Sequence, residues 1–362
     1  MKILKLYGHK NNPGGVVNFQ NALQAVSGKS MHRFYHYRTG KVLNNAFLSN
    51  GFIRYLDQLW SYCYFPVFLY FLNPDVIEIN SSLVSKAFRR DRIYLRIAKF
   101  VKPSKKIILF NHGWSEEFKF FMTTHNKERL VAYFKTFDFT IILAKAFKGE
   151  IEALGIDPTS IQVMTTGVNT AEYTGLPTVE RPSKIINILF LSRIEKAKGI
   201  AEFIAAIPEV VSKNENVRFL IAGTGSYLAS IKKSPIVHSY QKYIIFKGYV
   251  TGGDKIELFH NSDVFVLPSF YGEGCPVAVL EAMASGLPLI YTSVGALSEI
   301  LTNGENGLCI EIKSAHALAE AINFLIENPL VTKQIGAANR IYSAQFDLGH
   351  IQEKLESIYT TI

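Results

Sequence analysis

Short β-rich runs alternate with helical stretches along almost the whole chain, and the alternation runs twice. In the first half the strand-like runs are Lys2–Tyr7, Asp75–Ile79, Lys106–Phe110, Phe139–Ala144 and Ile161–Met164. A loop at His9–Gly15 and a helix over Val16–Val26 follow the first of them. A chain written this way buries its apolar faces by winding a parallel sheet between helices. The pattern stops at Thr174–Ser183. There TGLPTVERPS has two prolines and little periodicity, which reads as an interdomain linker. It then restarts, with strands at Ile185–Leu191, Arg218–Ala222, Tyr243–Lys247, Asp263–Pro268 and Pro288–Thr292 and helices at Ile200–Lys213 and Pro276–Ala284. Ala337–Ile362 reads as helical with one break near Phe346–Gly349. The expectation is an α/β protein of two Rossmann-like, doubly wound domains, residues 1–175 and 176–345, with a cleft between them. Ligands are expected beyond the carboxyl ends of the strands.

The 362 residues suit two such domains. Cys63, Cys275 and Cys309 are widely spaced and form neither a metal pattern nor a disulfide framework. The chain opens on a strand-like run with no secretory leader, so a cytoplasmic location is expected. The net charge of +9 is one-sided: residues 1–183 hold 24 Lys and Arg against 13 Asp and Glu, the rest 15 against 17. A basic half suggests nucleic acid, a membrane surface or an acidic substrate as partner, or simple solubility. Two stretches bear on that choice. Leu59–Leu72 (LWSYCYFPVFLYFL) is apolar and aromatic, too short to span a bilayer, and contains Pro66; a buried helix is preferred over a membrane-dipping segment. Ser82–Lys106 holds nine Lys and Arg and one Asp, with Val84, Ala87, Phe88, Tyr94, Leu95, Ala98 and Val101 at helical spacing. That is a basic amphipathic helix, either an ordinary solvated face or a sensor of anionic lipid.

Chemistry concentrates in Tyr271–Ala284, YGEGCPVAVLEAMA. A strand ends at Pro268, a glycine-punctuated loop holds Glu273, and a helix begins with Pro276 as a first-turn residue. The free N–H groups and dipole of such a helix start suit a phosphate or a polar sugar. Glu281 lies farther along the helix, with seven residues between it and Glu273, so the two carboxylates can face one ligand from loop and helix.

This stretch resembles the E-x7-E motif of retaining glycosyltransferases with the GT-B fold, glycosyltransferase family 4 (glycosyl transferases group 1). Flanking segments are similar in order and spacing. These are SRIEKAKG (192–199), IAGTGS (221–226), FKGYV (246–250), DVFVLPS (263–269), ASGLPLIYTSVGALSEIL and NGENGLCIE, with PGGVVNF, PDVIEIN, ILFNHGW and TTGVNTAEY in the first half. The resemblance implies a GT-B fold whose C-terminal helix, about 346–362, crosses back to the first domain. It implies a nucleotide-sugar donor (UDP- or GDP-sugar) bound mainly by the second domain and a glycan or lipid-linked acceptor on the first. Arg193 and Lys198 then hold the donor diphosphate and neutralise the leaving group where other enzymes use a divalent metal, so no metal is expected. Glu281 accepts from the ribose hydroxyls, which both carboxylate oxygens suit.

By the same resemblance, Glu273 lies near the donor sugar hydroxyls, and Gly274, Cys275 and Val277 present backbone N–H groups beside it. Cys275 departs from the bulky aromatic frequent there. Tyr249 and Val250 approach the base. Gly14 and Gly15 let a loop come close to phosphate and acceptor. His112 faces the sugar, with Asn111 and Trp114 on the acceptor side, and Val294–Ala296 with Glu299 form a further phosphate-facing loop. The catalytic set is thus Glu273, His112, Arg193 and Lys198. A retaining hexosyl transfer in envelope polysaccharide, capsule or lipopolysaccharide assembly follows, with the protein cytoplasmic or peripheral on an anionic membrane and no nucleic acid expected. Rivals are another GT-B enzyme such as a nucleotide-sugar epimerase or phosphorylase, and a non-catalytic sugar- or nucleic-acid-binding protein. A dinucleotide-dependent dehydrogenase would need G-x-G-x-x-G after the first strand, where only Gly14-Gly15 stands.

Overall fold

The computed structural model describes residues 1–8, 14–39, 51–174, 185–270 and 274–362. The expected linker at 174–183 lies almost wholly outside them, and so does Glu273. The chain divides into two compact units, residues 1–166 with 348–362, and 167–347.

The first unit carries β1 (Lys2–Gly8), α1 (Gly15–Val26), β2 (Arg33–Thr39), α2 (Gly51–Leu72), β3 (Val76–Leu83), α3 (Ser85–Val101) and β4 (Lys106–Trp114). It continues with α4 (Glu116–His125), α5 (Lys127–Lys135), β5 (Phe139–Ile142), α6 (Lys145–Glu152) and β6 (Ile161–Val163). The second holds α7 (Thr170–Thr174), β7 (Ile186–Leu191), α8 (Ile200–Lys213), β8 (Val217–Ala222), α9 (Leu228–Lys232), α10 (Pro235–Ser239), β9 (Ile244–Gly248) and α11 (Gly252–His260). Then come β10 (Val264–Leu267), α12 (Val277–Ala284), β11 (Leu289–Thr292), α13 (Leu297–Ile300), β12 (Gly307–Ile310), α14 (Ala315–Glu327) and α15 (Pro329–Tyr342). The final helix, α16 (Leu348–Thr361), belongs to the first unit.

Each unit has one six-stranded sheet, ordered β2-β1-β3-β4-β5-β6 and β12-β11-β10-β7-β8-β9, and every strand pair is parallel. Both are doubly wound. The order reverses between β1 and β3 in the first and between β7 and β10 in the second. Strands covered on both faces read as continuous apolar runs, and all of Val264–Leu267 and Leu289–Thr292 is buried. In α8 the buried residues Ile200, Phe203, Ile204, Ile207, Val210 and Val211 keep the helical period that laid this helix on the sheet.

Three expectations change. Strands β2 and β12 were not anticipated; both are edge strands. β2 alternates Arg, His and aromatics (RFYHYRT), and β12 is four residues starting at a glycine. Pro276 is not the first helical residue of α12 but its cap, in an extended conformation. The segment 59–72 is not a buried helix. Phe65 and Leu69 are fully buried, yet Trp60, Tyr64, Val67, Tyr70 and Phe71 are exposed, because α2 has the sheet on one side only.

Candidate functional site

In the second unit the chain reverses direction across the sheet between β7 and β10, so the loops leaving their carboxyl ends diverge and leave the N-termini of the following helices open. The segment after β7 is Ser192–Gly199. Ser192 N–H donates to Ala222 O (3.2 Å) and Ile194 N–H to Thr224 O (2.9 Å), tying it to the loop after β8. Ser226 Oγ donates to Glu195 Oε2 at 2.7 Å. The contact is too close for side chains: a Cβ on Gly223 would stand 1.9 Å from Ser192 O, and one on Gly225 2.3 Å from Ile194 O. The two glycines of IAGTGS are therefore spacers that let one strand-end loop lie on the other.

Lys196–Lys198 forms a single 3-10 turn closed by Gly199 at φ 76°. Lys198 is buried at its end, while Arg193 is exposed. The neighbouring strand end binds this turn: Phe270 N–H (3.0 Å) and Ser269 Oγ (3.1 Å) both donate to Ala197 O. Arg193, Lys198 and the start of the loop containing Glu273 thus leave adjacent strands.

Beyond that loop, Gly274 is partly buried, Cys275 is buried and in no disulfide, and Val277 opens α12. Glu281, in the second turn of α12, is only 4% exposed. Its Oε1 accepts from Tyr173 Oη at 2.9 Å and from Lys255 Nζ on α11 in a very short ion pair. Burial, then the Glu281 charge, holds the Tyr173 hydroxyl protonated far above the usual phenol range. Both contacts fall on one carboxylate oxygen. His260 of α11 bonds the Tyr173 carbonyl at 3.1 Å, so α7, α11 and α12 are joined around Glu281. Sequence reasoning missed Tyr173 and Lys255. Tyr173 was visible as the end of TTGVNTAEY, but nothing along the chain pairs position 173 with 281.

Tyr249 and Val250 follow β9, two strands from β7, with Tyr249 54% exposed. Val294–Ala296 follows β11, where Gly295 has φ 54° and Glu299 lies exposed on α13.

The remaining candidates are in the first unit. Gly14 caps α1 in an extended conformation, and a Cβ on Gly14 or Gly15 would meet nothing within 4 Å. Among the described residues no atom demands glycine there. His112 lies near the carboxyl end of β4, stacked on Phe110 (centroids 4.3 Å, 16°) with Phe19 edge-on. Its Nε2 is 3.0 Å from Asn80 Oδ1. Asn80 Nδ2 donates to Glu78 Oε1 (2.8 Å) and Gln20 Nε2 donates to Asn80 Oδ1 (2.6 Å). Glu78 also accepts from Tyr359 Oη of α16 and lies 3.8 Å from the buried Lys5 ammonium. Burial, then the Lys5 charge, presses His112 down to about 3, so its ring is neutral at physiological pH. Among the described residues no group of three His, Cys, Asp or Glu side chains is placed to hold a metal ion.

Residues 172–342 match the family of glycosyl transferases group 1. Over 221 residues the chain is 28% identical to a phosphatidyl-myo-inositol mannosyltransferase of Mycobacterium leprae, covering 60% of this chain and 57% of that protein. Over 188 residues it is 33% identical to the capsular polysaccharide biosynthesis glycosyltransferase CapM of Staphylococcus aureus, covering 50% and 49%. The matches thus span about half the length of these curated relatives. The Anabaena protein HepE, crystallised with UDP-glucose, superposes with a TM-score of 0.75 at 16% identity over the full length of both chains. The two doubly wound units are those of a GT-B glycosyltransferase fold.

Proposed function

We propose that the protein is a retaining, metal-independent glycosyltransferase of family 4, moving a sugar from a nucleoside-diphosphate sugar to a glycan or lipid-linked acceptor of the cell envelope. The observation that carries the reading is the β7/β10 switch point, where Arg193 and Lys198 leave one strand and the segment running to Glu281 leaves its neighbour. Cations on such a turn neutralise a departing diphosphate. A buried carboxylate with one oxygen already engaged still offers the other to a ribose hydroxyl. The names of the relatives, a phosphatidylinositol mannosyltransferase and a capsular polysaccharide glycosyltransferase, support an envelope acceptor. HepE was solved with a UDP-sugar, which supports a donor of that class.

In this reading the acceptor hydroxyl attacks on the face the diphosphate leaves, and the departing phosphate oxygen takes its proton. Retention then needs no covalent enzyme nucleophile. Arg193 and Lys198 stabilise the leaving group, Glu281 holds the ribose, and the backbone N–H groups of Gly274, Cys275 and Val277 line the donor side. Tyr249 and Val250 lie by the base, Gly14 and Gly15 give the phosphates close approach, and Glu273 and His112 contact the sugar.

A thermal-shift panel of UDP-, GDP- and ADP-sugars identifies the donor, since a bound donor raises the unfolding temperature by mass action. Nucleoside diphosphate release that depends on an acceptor separates an enzyme from a binder. Activity persists in excess chelator; loss that only a divalent ion restores would refute the metal-free mechanism. An anomer-resolved NMR spectrum of the product tests retention.

A further inference from the structure

Eight large apolar side chains stand exposed on α2: Tyr55, Leu56, Leu59, Trp60, Tyr64, Val67, Tyr70 and Phe71, with Trp60 at 71% and Phe71 at 78%. The helix cannot roll to hide them. Phe65 and Leu69 fill the core on the opposite side, and Tyr37 Oη donates to Ser61 O at 2.6 Å. Ser61 Oγ and Gln58 Nε2 bond Tyr94 Oη of α3 at 2.7 and 3.1 Å, so α3 lies alongside. The outer stripe of α3 steps through Arg89, Ile93, Arg96 and Phe100, with Phe100 89% exposed. Lys102 Nζ sits 5.4 Å from the Tyr70 ring, where the aromatic row and the basic row meet.

The charge of this face is almost all of one sign. Between residues 55 and 106 the acids are the half-buried Asp57, Asp75, Glu78 and Asp91, against nine Lys and Arg. Glu78 and Asp91 are buried, Asp91 bonds Arg90 at 2.7 Å, and Asp75 faces Lys105 at 3.6 Å. A second copy docking here about a two-fold axis would bring two basic faces together, which like charges oppose. Trp and Tyr rings settle at the headgroup level of a bilayer, and flanking cations gain from anionic lipid. Among the described residues no helix is long and apolar enough to cross a membrane.

We propose that the outer faces of α2 and α3 dock the protein on the surface of an anionic phospholipid bilayer, with the α2 aromatics entering the headgroup layer and Arg89, Arg96 and Lys102 pairing with lipid phosphates. This goes beyond the transfer chemistry and does not depend on it. The test is flotation of the full chain with vesicles of phosphatidylcholine alone and of phosphatidylcholine and phosphatidylglycerol in equal parts. The protein floats with the mixed vesicles only, and salt weakens the binding. Arg89→Gln with Arg96→Gln lowers affinity for mixed vesicles roughly 30-fold, about fivefold per cation. Trp60→Ser with Phe71→Ser abolishes flotation, and both double variants keep the wild-type unfolding temperature. No flotation of the wild type, or flotation equal in wild type and both variants, overturns the proposal. So does a dimer seen by sedimentation that Trp60→Ser/Phe71→Ser disrupts while vesicles are ignored. A chain that floats but transfers sugar from no donor overturns only the proposed function.

Discussion

Gly199→Ala puts the switch point to a quantitative test. Gly199 sits at φ 76°, between the Lys196–Lys198 turn and α8. A Cβ there would stand 2.0 Å from Pro268 O, 2.6 Å from its carbonyl carbon and 2.7 Å from its Cγ. Backbone meets backbone, so no flexible side chain can yield; the turn and the end of β10 have to part. The left-handed conformation costs an alanine about 1–2 kcal/mol. The forced separation resembles overpacking and costs about 1–3 kcal/mol more. Together they lower stability by about 2–5 kcal/mol, which for a unit of this size is a fall of about 4–20 °C in melting temperature. Gly304→Ala is the control in the same unit: φ is 85°, but the added Cβ meets nothing within 4 Å, so only the backbone cost applies. Thermal unfolding of the three proteins measures the difference, and donor titration follows whether displacing the turn after Lys198 weakens nucleotide binding. If Gly199→Ala melts no lower than Gly304→Ala, the close approach of the two strand ends is not what makes glycine necessary there.

Two further perturbations read the same molecule. Glu281→Gln keeps the size of the side chain but removes the charge that Lys255 faces. It should weaken donor binding at least tenfold, about 1.4 kcal/mol of a charge-assisted hydrogen bond, measured by calorimetric titration; wild-type affinity would remove Glu281 from the ribose site. Acid stability follows from His36, pressed to about 4 by burial and then by Lys5 and Arg38, and from His112, pressed to about 3. Both lie below the ordinary 6.5, so the unfolded chain binds more protons between these values, and the contribution is whole above about 6.5 and lost as pH falls toward 4 and 3. Urea melts at pH 7 and 5 should differ by up to about 2 kcal/mol per histidine. His36→Gln should lower that difference, and an unchanged difference would sink the assignment.

Much of this architecture was legible because central parallel strands advertise themselves. VFVLP is an apolar run with no alternation, INILFL is one interrupted only by Asn187, and α8 has an unbroken helical period ending at Lys213. The edge strands escaped because one-sided pairing needs no such run: β2 alternates arginine with aromatics, and β12 opens on Gly307, where a Cβ would stand 1.9 Å from Leu289 O. Segment 59–72 misled for a different reason. Its apolar content is high on every side, so periodicity could not say that one side faces water. The motif residues Arg193, Lys198 and Glu281 were readable as local chemistry, but Tyr173 and Lys255 were not, since Glu281 meets them across 108 and 26 residues of chain.

The first unit holds a case where geometry decides a proton. Glu78 as a carboxylate can only accept, so the Asn80 atom facing it at 2.8 Å is the amide nitrogen. Asn80 Oδ1 then faces Gln20 Nε2 and His112 Nε2, and an acceptor oxygen requires a hydrogen on each. His112 is neutral, so its single N–H is on Nε2, and Nδ1 keeps its lone pair. The ring therefore donates through Nε2 to Asn80 and at Nδ1 can only accept. Nitrogen-15 NMR of histidine-labelled protein should show the Nε2–H tautomer for His112 from pH 5 to 8. Asn80→Leu removes the acceptor and should release the ring to a mixture of tautomers. An Nδ1–H signal in the wild type would mean that the order of donors from Glu78 through Asn80 runs the other way.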